Sequence, residues 1–219
     1  MNRFHNLQVG QWAIIFGNGE TSGTPSSEEK IPSAVRRRMG RLERLAVRCT
    51  LGVLEGHPPT DELIFCSRYG NVETLCSLLR SIAMREPVSP MAFSGSVHNA
   101  APGLVGQIRK ERFNHTALSA GRGTFAAGLI ESYAWLATDE CRDVTLIFAE
   151  LMLPAVYREF TDEDSSSLAV ALRLGLAGQS GAAIAAKTGG SGLLAILDGL
   201  KAGVSQISLD ESLWIGSEA

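Results

Sequence analysis

The segment of this chain that most resembles a catalytic turn is residues 115–121, with the sequence His-Thr-Ala-Leu-Ser-Ala-Gly. They follow a short strand-like run and precede an apolar stretch with the composition of a helix. A sharp turn from a strand into a helix holds one side chain at the helix N-terminus, where free backbone N–H groups favour negative charge. Catalytic nucleophiles often occupy that position. Here Leu118 occupies it, and its side chain is chemically inert.

Ser119 offers a hydroxyl nucleophile one residue later. The sequence Ala-Leu-Ser-Ala-Gly, ending at Gly121, is one residue away from the Gly-x-Ser-x-Gly turn of serine hydrolases. In that class the catalytic histidine follows the serine, but here all the histidines precede it: His5, His57, His98 and His115. The hydrolase order is therefore excluded. A triad in another order stays open, and so does a turn whose small residues serve only packing.

The composition indicates an ordinary soluble protein of the cytoplasm. The chain has 219 residues, 45% of them hydrophobic, and a net charge of −3, which gives no reason to expect nucleic acid as a partner. No apolar run is long enough for a membrane helix, and the N-terminus has no secretory signal. We expect a single domain over residues 1–219, with a core at 11–176 and an extension at 177–219. The cysteines lack metal spacing and are expected to be buried free thiols: Cys49, Cys66, Cys76 and Cys141.

The hydrophobic pattern predicts strands that alternate with helices. The element order is βαβαβαββ, which favours an α/β fold with a mostly parallel five-stranded sheet and helices on both faces. The predicted strands are 11–16, 62–67, 113–117, 144–149 and 168–176, and the main helices are 33–53, 71–84 and 122–137. Residues 17–33 are predicted to form a long mobile loop, 162–167 a polar turn, 193–200 a short helix and 206–209 a final strand.

Each main helix has an apolar pattern that predicts its packing. The first helix has a buried stripe at Val35, Met39, Leu42, Ala46, Cys49 and Val53. The second is capped by Asn71 and is expected to bury Val72, Leu75, Leu78, Leu79 and Ile82. The third is apolar on all sides over residues 125–130, which predicts that it is covered all round, by more of this chain or by another protein.

Other motifs favour structural interpretations. The glycine-containing runs at residues 17–19 and 189–192 lack the further features of nucleotide-binding loops, so the first is predicted to be a solvent loop and the second a turn. His98 lies in a run of small polar residues and is predicted to be a hydrogen-bonded structural residue. One helix face carries a basic stripe that is either a solvated surface or a docking site for an acidic partner: Arg37, Arg41, Arg44 and Arg48.

Five segments resemble the short β-ketoacyl-synthase N-terminal-domain family of the thiolase superfamily. They are residues 36–42 (RRRMGRL), 65–70 (FCSRYG), 89–101 (SPMAFSGSVHNAA), 116–121 (TALSAG) and 153–154 (LP). The resemblance implies the N-terminal half of a thiolase fold, which matches the predicted element order. True ketosynthases have a Thr-Ala-Cys-Ser-Ser-Gly-like turn whose cysteine accepts the acyl chain. In this chain Leu118 stands at the position of that cysteine.

The resemblance implies an inactive partner subunit. The two histidines of the ketosynthase C-terminal half have no counterpart after His115, so the chain is similar to the chain-length factors of type II polyketide systems. The expected partner is a full-length ketosynthase, as a heterodimer or larger complex, in bacterial aryl-polyene synthesis, with transient contact to an acyl carrier protein and no cofactor or metal. The open alternatives are an acyl-transfer or hydrolytic enzyme using Ser119 and a carrier-protein-binding module. The implied interface or acyl-pocket residues are Phe113, Asn114, His115, Thr116, Leu118 and Phe125.

Overall fold

A computed structural model describes residues 5–138, 140–161, 166–176, 184–185 and 190–209. Within these ranges the strands are β1 (His5–Phe16), β2 (Thr21–Gly23), β3 (Glu62–Cys66), β4 (Asn114–Leu118), β5 (Val144–Glu150), β6 (Leu168–Leu176), β7 (Ile184–Ala185) and β8 (Gln206–Leu209). The α-helices are α1 (Ser33–Arg36), α2 (Arg41–Leu54), α3 (Val72–Ala83), α4 (Pro90–Gly95), α5 (Ala100–Arg109), α6 (Thr124–Leu136) and α7 (Gly190–Lys201). Short 3₁₀ helices span Glu28–Lys30, Gly121–Gly123 and Ala155–Phe160.

The strands form one mixed sheet flanked by helices, which confirms the predicted α/β class. The strand order is β4-β3-β5-β6-β1-β8-β7, and β2 pairs with β1. Strand β3 lies parallel to both β4 and β5, because helical crossovers return the chain in the same direction. Strand β6 runs antiparallel to both of its neighbours, β5 and β1. The sheet thus has eight described strands and not five, because β2 and β7 were not predicted and the predicted final strand, β8, joins the same sheet. It is mixed and not mostly parallel, because β6 is antiparallel to β5 and β1, and β1 is antiparallel to β2 and β8.

Two hydrophobic cores cover the two faces of this sheet. Along β3, side chains alternate between them, so that Ile64 and Cys66 face α6 and α7 while Leu63 and Phe65 face α1, α2 and α5. All six predicted apolar positions of the first helix are buried in the second core. That helix is divided, however, because the chain leaves helical geometry between α1 and α2.

Residues 17–33 are folded, which corrects the prediction of a mobile loop. After the turn at residues 17–19, β2 pairs with β1, and the chain then packs along α2 with Ser26 and Ile31 buried. Gly52 of α2 permits this close approach, since a Cβ there would lie 1.8 Å from the Thr24 carbonyl oxygen. The sequence pattern missed this packing because short polar segments of this kind carry no periodic signal. Likewise, the predicted turn at 189–192 is wrong in its described part, where α7 begins at Gly190.

Helix α3 confirms its predicted cap but not its predicted buried face. The Asn71 side chain accepts a hydrogen bond from the Thr74 N–H at 3.2 Å. Val72 and Leu78 are buried, whereas the other three apolar positions, Leu75, Leu79 and Ile82, are 44–58% exposed. Helical spacing identifies an apolar face but does not say whether other elements of the chain cover all of it. Cys76 is also only half-buried, in contrast with the three other cysteines, which are buried as predicted.

Helix α6 packs against the sheet through a glycine. A Cβ on Gly128 would lie 2.5 Å from the Cys66 Sγ and 2.8 Å from Leu146 Cδ1, so only glycine allows this approach. Four of the six residues at positions 125–130 are buried, while Ala127 and Ile130 are partly exposed. The chain itself therefore covers most of this segment. Coverage of Ala127 and Ile130 by another protein stays a prediction.

We expect Gly128→Ala to destabilise the fold, because the added methyl group must displace α6 from β3 and β5. Overpacking of this kind typically costs about 1–3 kcal/mol. Gly103→Ala, in α5, is the matched control, because a Cβ there meets no atom within 4 Å and alanine favours a helix over glycine by roughly 0.5–1 kcal/mol. Thermal unfolding of both variants measures the difference. A Gly128→Ala midpoint equal to that of the parent would contradict this packing.

Candidate functional site at the carboxyl edge of the sheet

The turn after β4 has the geometry of a nucleophile elbow. It comprises Leu118, Ser119, Ala120 and Gly121, and is called the elbow below. Gly121 has φ +56°, a left-handed conformation that favours glycine. The Thr124 hydroxyl closes the turn, since it donates to the Gly121 carbonyl at 2.6 Å and accepts from the Ala120 N–H at 3.0 Å. The Ser67 N–H donates to the Leu118 carbonyl at 3.3 Å and so joins the elbow to the end of β3.

Leu118 is half-buried and packs against the core on the α6 side of the sheet. Phe125, in the first turn of α6, is buried below the same region. Its ring packs edge-on against Phe148 of β5, with centroids 5.7 Å apart and an interplanar angle of 75°. The position where a nucleophile would stand therefore carries an apolar side chain at the rim of an aromatic core.

Ser119 is exposed, and its hydroxyl donates to the Arg68 carbonyl at 2.9 Å. His98 is not directed at it, since the His98 Nε2 lies 3.1 Å from the Ser67 carbonyl oxygen and its ring packs edge-on against Phe65. This arrangement fits the prediction that His98 is structural. His115 is exposed, and it lies on the opposite side of β4 from Leu118 because side chains alternate along a strand. Neither histidine thus has the position of a general base for Ser119.

Glu150, at the end of β5, is the acidic group of this edge. Its carboxylate accepts hydrogen bonds from the Arg68 N–H at 2.7 Å, the Tyr69 N–H at 3.4 Å and the Ser67 hydroxyl at 3.4 Å. Burial raises the pKa of Glu150 to about 7, although these hydrogen bonds and the charge of Arg68 oppose the increase. The group therefore titrates near neutral pH.

Strand β4 forms one end of the described sheet and pairs there with β3 alone. Asn114 and His115 are exposed, and Phe113 packs partly on the core beside α5. The Thr116 hydroxyl donates to Glu62 Oε1 at 3.2 Å, and the carboxyl of Glu62 is buried, which raises its pKa. An edge strand of this kind presents unpaired backbone groups to another chain.

An apolar surface lies on the two helices that follow the end of β3. Helices α3 and α4 contact each other, and the Asn71 amide joins them by donating to the Gly95 carbonyl at 3.2 Å. Their exposed apolar side chains, called the α3–α4 surface below, are Leu75, Leu79, Ile82, Met91, Phe93 and Val97, each 44–62% exposed. Exposed apolar groups gathered in this way commonly mark an interaction site.

The arginine stripe is divided between structural and exposed members. The Arg48 Nε donates to the Ser26 carbonyl at 3.0 Å. Arg44 donates to the Met39 carbonyl at 3.3 Å and pairs with Glu28 at 3.3 Å. These two side chains hold the preceding segment against α2. Arg37 and Arg41 are exposed, and Arg41 also donates to the Gly17 carbonyl at 3.5 Å.

Ser67 and Glu150 were not predicted as site residues, although their positions in the sequence pattern could have indicated them. Each is a polar residue at the end of a buried strand, and the ends of parallel strands such as β3 and β5 meet at one edge. Among the described residues, no three His, Cys, Asp or Glu side chains come together in a way that could hold a metal ion. In the same ranges, no helix is long and apolar enough to cross a membrane.

The fold and the elbow together define one half of a thiolase-type α/β protein. The chain belongs to the family of β-ketoacyl synthase N-terminal domains, whose model matches residues 10–195. Comparison with curated proteins gives no match.

Solved structures confirm the fold. The complex of the ketosynthase ApeO with its chain length factor ApeC, from Xenorhabdus doucetiae, contains a chain that matches with a TM-score of 0.69 and 27% identity, over 80% of both chains. The ishigamide ketosynthase/chain length factor matches with a TM-score of 0.63 and 15% identity, over 80% of this chain and 63% of that one. A β-ketoacyl synthase from Burkholderia phymatum STM815 matches with a TM-score of 0.61 and 14% identity, over 81% and 60% of the respective chains. At such identities, the last two show the fold alone.

Proposed function

We propose that this chain is a non-catalytic, chain-length-factor-like subunit that pairs with a full-length ketosynthase and shapes the pocket in which an acyl chain grows. The observation that carries the proposal is the strand-to-helix elbow after β4, in which Leu118 stands where the family resemblance places the nucleophile. A family that conducts acyl transfer through this turn requires a nucleophile there and a base beside it. A leucine side chain is neither a nucleophile nor a base, although the strand and the helix that flank the elbow are retained.

The free edge of β4 supports a role as a partner subunit. A strand with one open side gains backbone hydrogen bonds when a second chain adds to the sheet. The α3–α4 surface lies after β3, the strand next to β4, and the hydrogen bond from Ser119 to Arg68 joins the two regions. We propose that one apolar and extended partner covers both the β4 edge and the α3–α4 surface. The ApeO and ApeC complex provides a precedent for such a pair.

The surroundings of Leu118 support the acyl-pocket role. This side chain is partly exposed at the edge that we assign to the partner, and it packs against the core cluster that includes Phe125 and Phe148. A growing acyl chain on the partner would meet an apolar wall at this place. The size of the side chain at position 118 would then limit the length of the product.

Arg37 and Arg41 support transient contact with an acyl carrier protein. Both guanidinium groups are exposed on the short segment between α1 and the first turn of α2. Carrier proteins are expected to be acidic, and exposed arginines raise the rate of association with an acidic partner. Arg44 and Arg48 are left out of this surface because their hydrogen bonds hold the neighbouring segment.

Co-expression with the full-length ketosynthase of the same operon tests the proposal. We expect the two chains to co-purify as a stable complex, and we expect this chain to self-associate when it is produced alone, because the β4 edge and the α3–α4 surface are then uncovered. Size-exclusion chromatography with light scattering measures both states. A well-behaved monomer that ignores the ketosynthase would overturn the proposed function.

A further inference from the structure

Helices α3 and α4 lie in the connection between the parallel strands β3 and β4, although such a connection needs only one helix on the sheet. Helix α5 is that helix, since its Ala101 and Val105 are buried in the core beside α2. Among the described residues, neither of the two cores includes a side chain of α3 or α4. Residues 72–94, called the α3–α4 module below, are therefore an addition to the connection.

The α3–α4 module has few buried contacts with the rest of the chain. Of the described residues in α3 and α4, just Val72 and Leu78 are buried. In the described part of the chain, these two helices pack chiefly against each other. A segment with few buried apolar contacts opens at a lower free energy than the core does.

One amide, that of Asn71, fixes both ends of the module at the same place. It donates to the Gly95 carbonyl, just after the module, at 3.2 Å, and to Glu43 Oε1 of α2 at 2.6 Å. Its oxygen accepts from the Thr74 N–H inside the module. Glu43 and Asn71 are both buried. The Asn71 side chain thus closes the base of the module and holds that base on α2.

His98 closes the same base with a second set of contacts. Its Nε2 lies 3.1 Å from the Ser67 carbonyl oxygen. Its ring also lies against Gly70, where a Cβ would come within 2.7 Å of the ring. Residues 67–71 and 95–98 therefore form a stem that is joined by contacts outside the module.

We infer that the α3–α4 module is a separable recognition element: the sheet and its two cores fold without it, it opens as a unit on the stem, and it supplies the main contact with the ketosynthase. The last of these three parts rests on the proposed function. The apolar side chains of the α3–α4 surface contribute little to the fold, because folding leaves them largely in water. Their apolar surface is therefore available for binding.

Hydrogen exchange of the full chain tests whether the module opens separately. We expect protection of its amides to be at least about 100-fold lower than protection of the amides in β3 and β5. Gly128→Ala strains the core but not the module, so it is expected to lower protection in β3 and β5 and to leave the module unchanged. Asn71→Ser is the matched variant at the base.

Asn71→Ser keeps a cap for α3 but loses both amide donors. It is expected to lower protection of the module by about tenfold, as the loss of a hydrogen bond at its base requires. A module that is protected as well as β3, or that loses protection together with β3 in Gly128→Ala, is part of the core and would overturn the inference.

Replacement of residues 72–94 by a Gly-Ser-Gly linker tests the two other parts. Three residues span up to about 10 Å, and the hydrogen bond from Asn71 to Gly95 shows that the two ends are close. We expect this variant to unfold cooperatively with a midpoint within about 10 °C of the parent. We expect its Kd for the ketosynthase to be at least about 100-fold higher, because the apolar contact is removed.

The outcomes separate this inference from the proposed function. A linker variant that does not fold, or one that folds and binds the ketosynthase as the parent does, would overturn the separable recognition element and leave the subunit pair intact. Absence of any complex between the parent chain and the ketosynthase would instead overturn the proposed function. Exchange of the parent chain and of the Gly128→Ala variant would still decide whether the module opens as a unit.

Discussion

A Leu79→Asp, Ile82→Asp double variant is expected to bind the ketosynthase more weakly, with a Kd that is at least about 100-fold higher. Both side chains are half-exposed on α3 in the free chain, so their replacement leaves the core intact. Burying a leucine or isoleucine side chain contributes roughly 1.5–3 kcal/mol, and about 1.4 kcal/mol corresponds to a factor of ten in Kd. Two such losses, with two carboxylates desolvated in addition, account for the expected effect. Pull-down and calorimetry with the ketosynthase measure it.

Leu176→Asp is the control for this experiment. Leu176 is also about half-exposed, but it ends β6 and pairs with Leu7, at the end of the sheet away from the elbow. We expect this variant to bind as the parent chain does. The double variant should also self-associate less than the parent chain when alone, because two apolar side chains of the α3–α4 surface are replaced while the β4 edge stays uncovered. Equal affinity of the double variant and the parent would show that the partner binds elsewhere.

The sequence predicted the elements that carry strong periodic or capping signals. Strands β3, β5 and β6 are found within about a residue of the predicted bounds, and Asn71 caps α3 as expected. The location of β4 at the end of the sheet agrees with what the family resemblance implied. These features depend on neighbouring residues or on the order of the elements. They can therefore be predicted from a single sequence.

The features that the sequence did not predict depend on contacts between distant segments. Leu75, Leu79 and Ile82 have the spacing of a buried stripe, yet of the five apolar positions predicted to be buried in α3 only Val72 and Leu78 are buried. Arg44 and Arg48 resembled a solvated or docking face, but their hydrogen bonds hold a segment that was predicted to be mobile. Nothing in the local pattern distinguishes these cases. Only the tertiary partners decide them.

The network around Glu150 shows the same limit at the site itself. Residues 67–70 and Glu150 are 80 or more positions apart, and they meet because β3 and β5 are parallel neighbours. The functional interpretation therefore centred on the elbow, where the motif is continuous in sequence. The structure adds the hydrogen bonds that hold this elbow in place.

The side chain at position 118 is expected to set the length of the product and not the occurrence of condensation. Leu118→Trp adds bulk where we propose that the acyl chain ends, so products from the reconstituted heterodimer are expected to shorten. Leu118→Ala opens space and is expected to lengthen them; because Leu118 is only half-buried, its destabilisation should fall below the roughly 2–5 kcal/mol of a fully buried leucine. Mass spectrometry of the products measures the distribution. Ser119→Ala is the control and is expected to leave product length and flux unchanged.

Leu118→Cys is expected to give this chain no ketosynthase activity of its own. The thiol would stand at the elbow without an activating base, because His98 is directed at the Ser67 carbonyl and His115 lies on the other side of β4. An assay with the Leu118→Cys chain alone, and another with a partner whose own nucleophile is removed, measure this. Condensation in either assay would support the alternative that this chain is itself an enzyme. If product lengths are the same for the Leu118→Trp and Leu118→Ala variants while the heterodimer stays intact, Leu118 serves only core packing and the subunit acts as a scaffold.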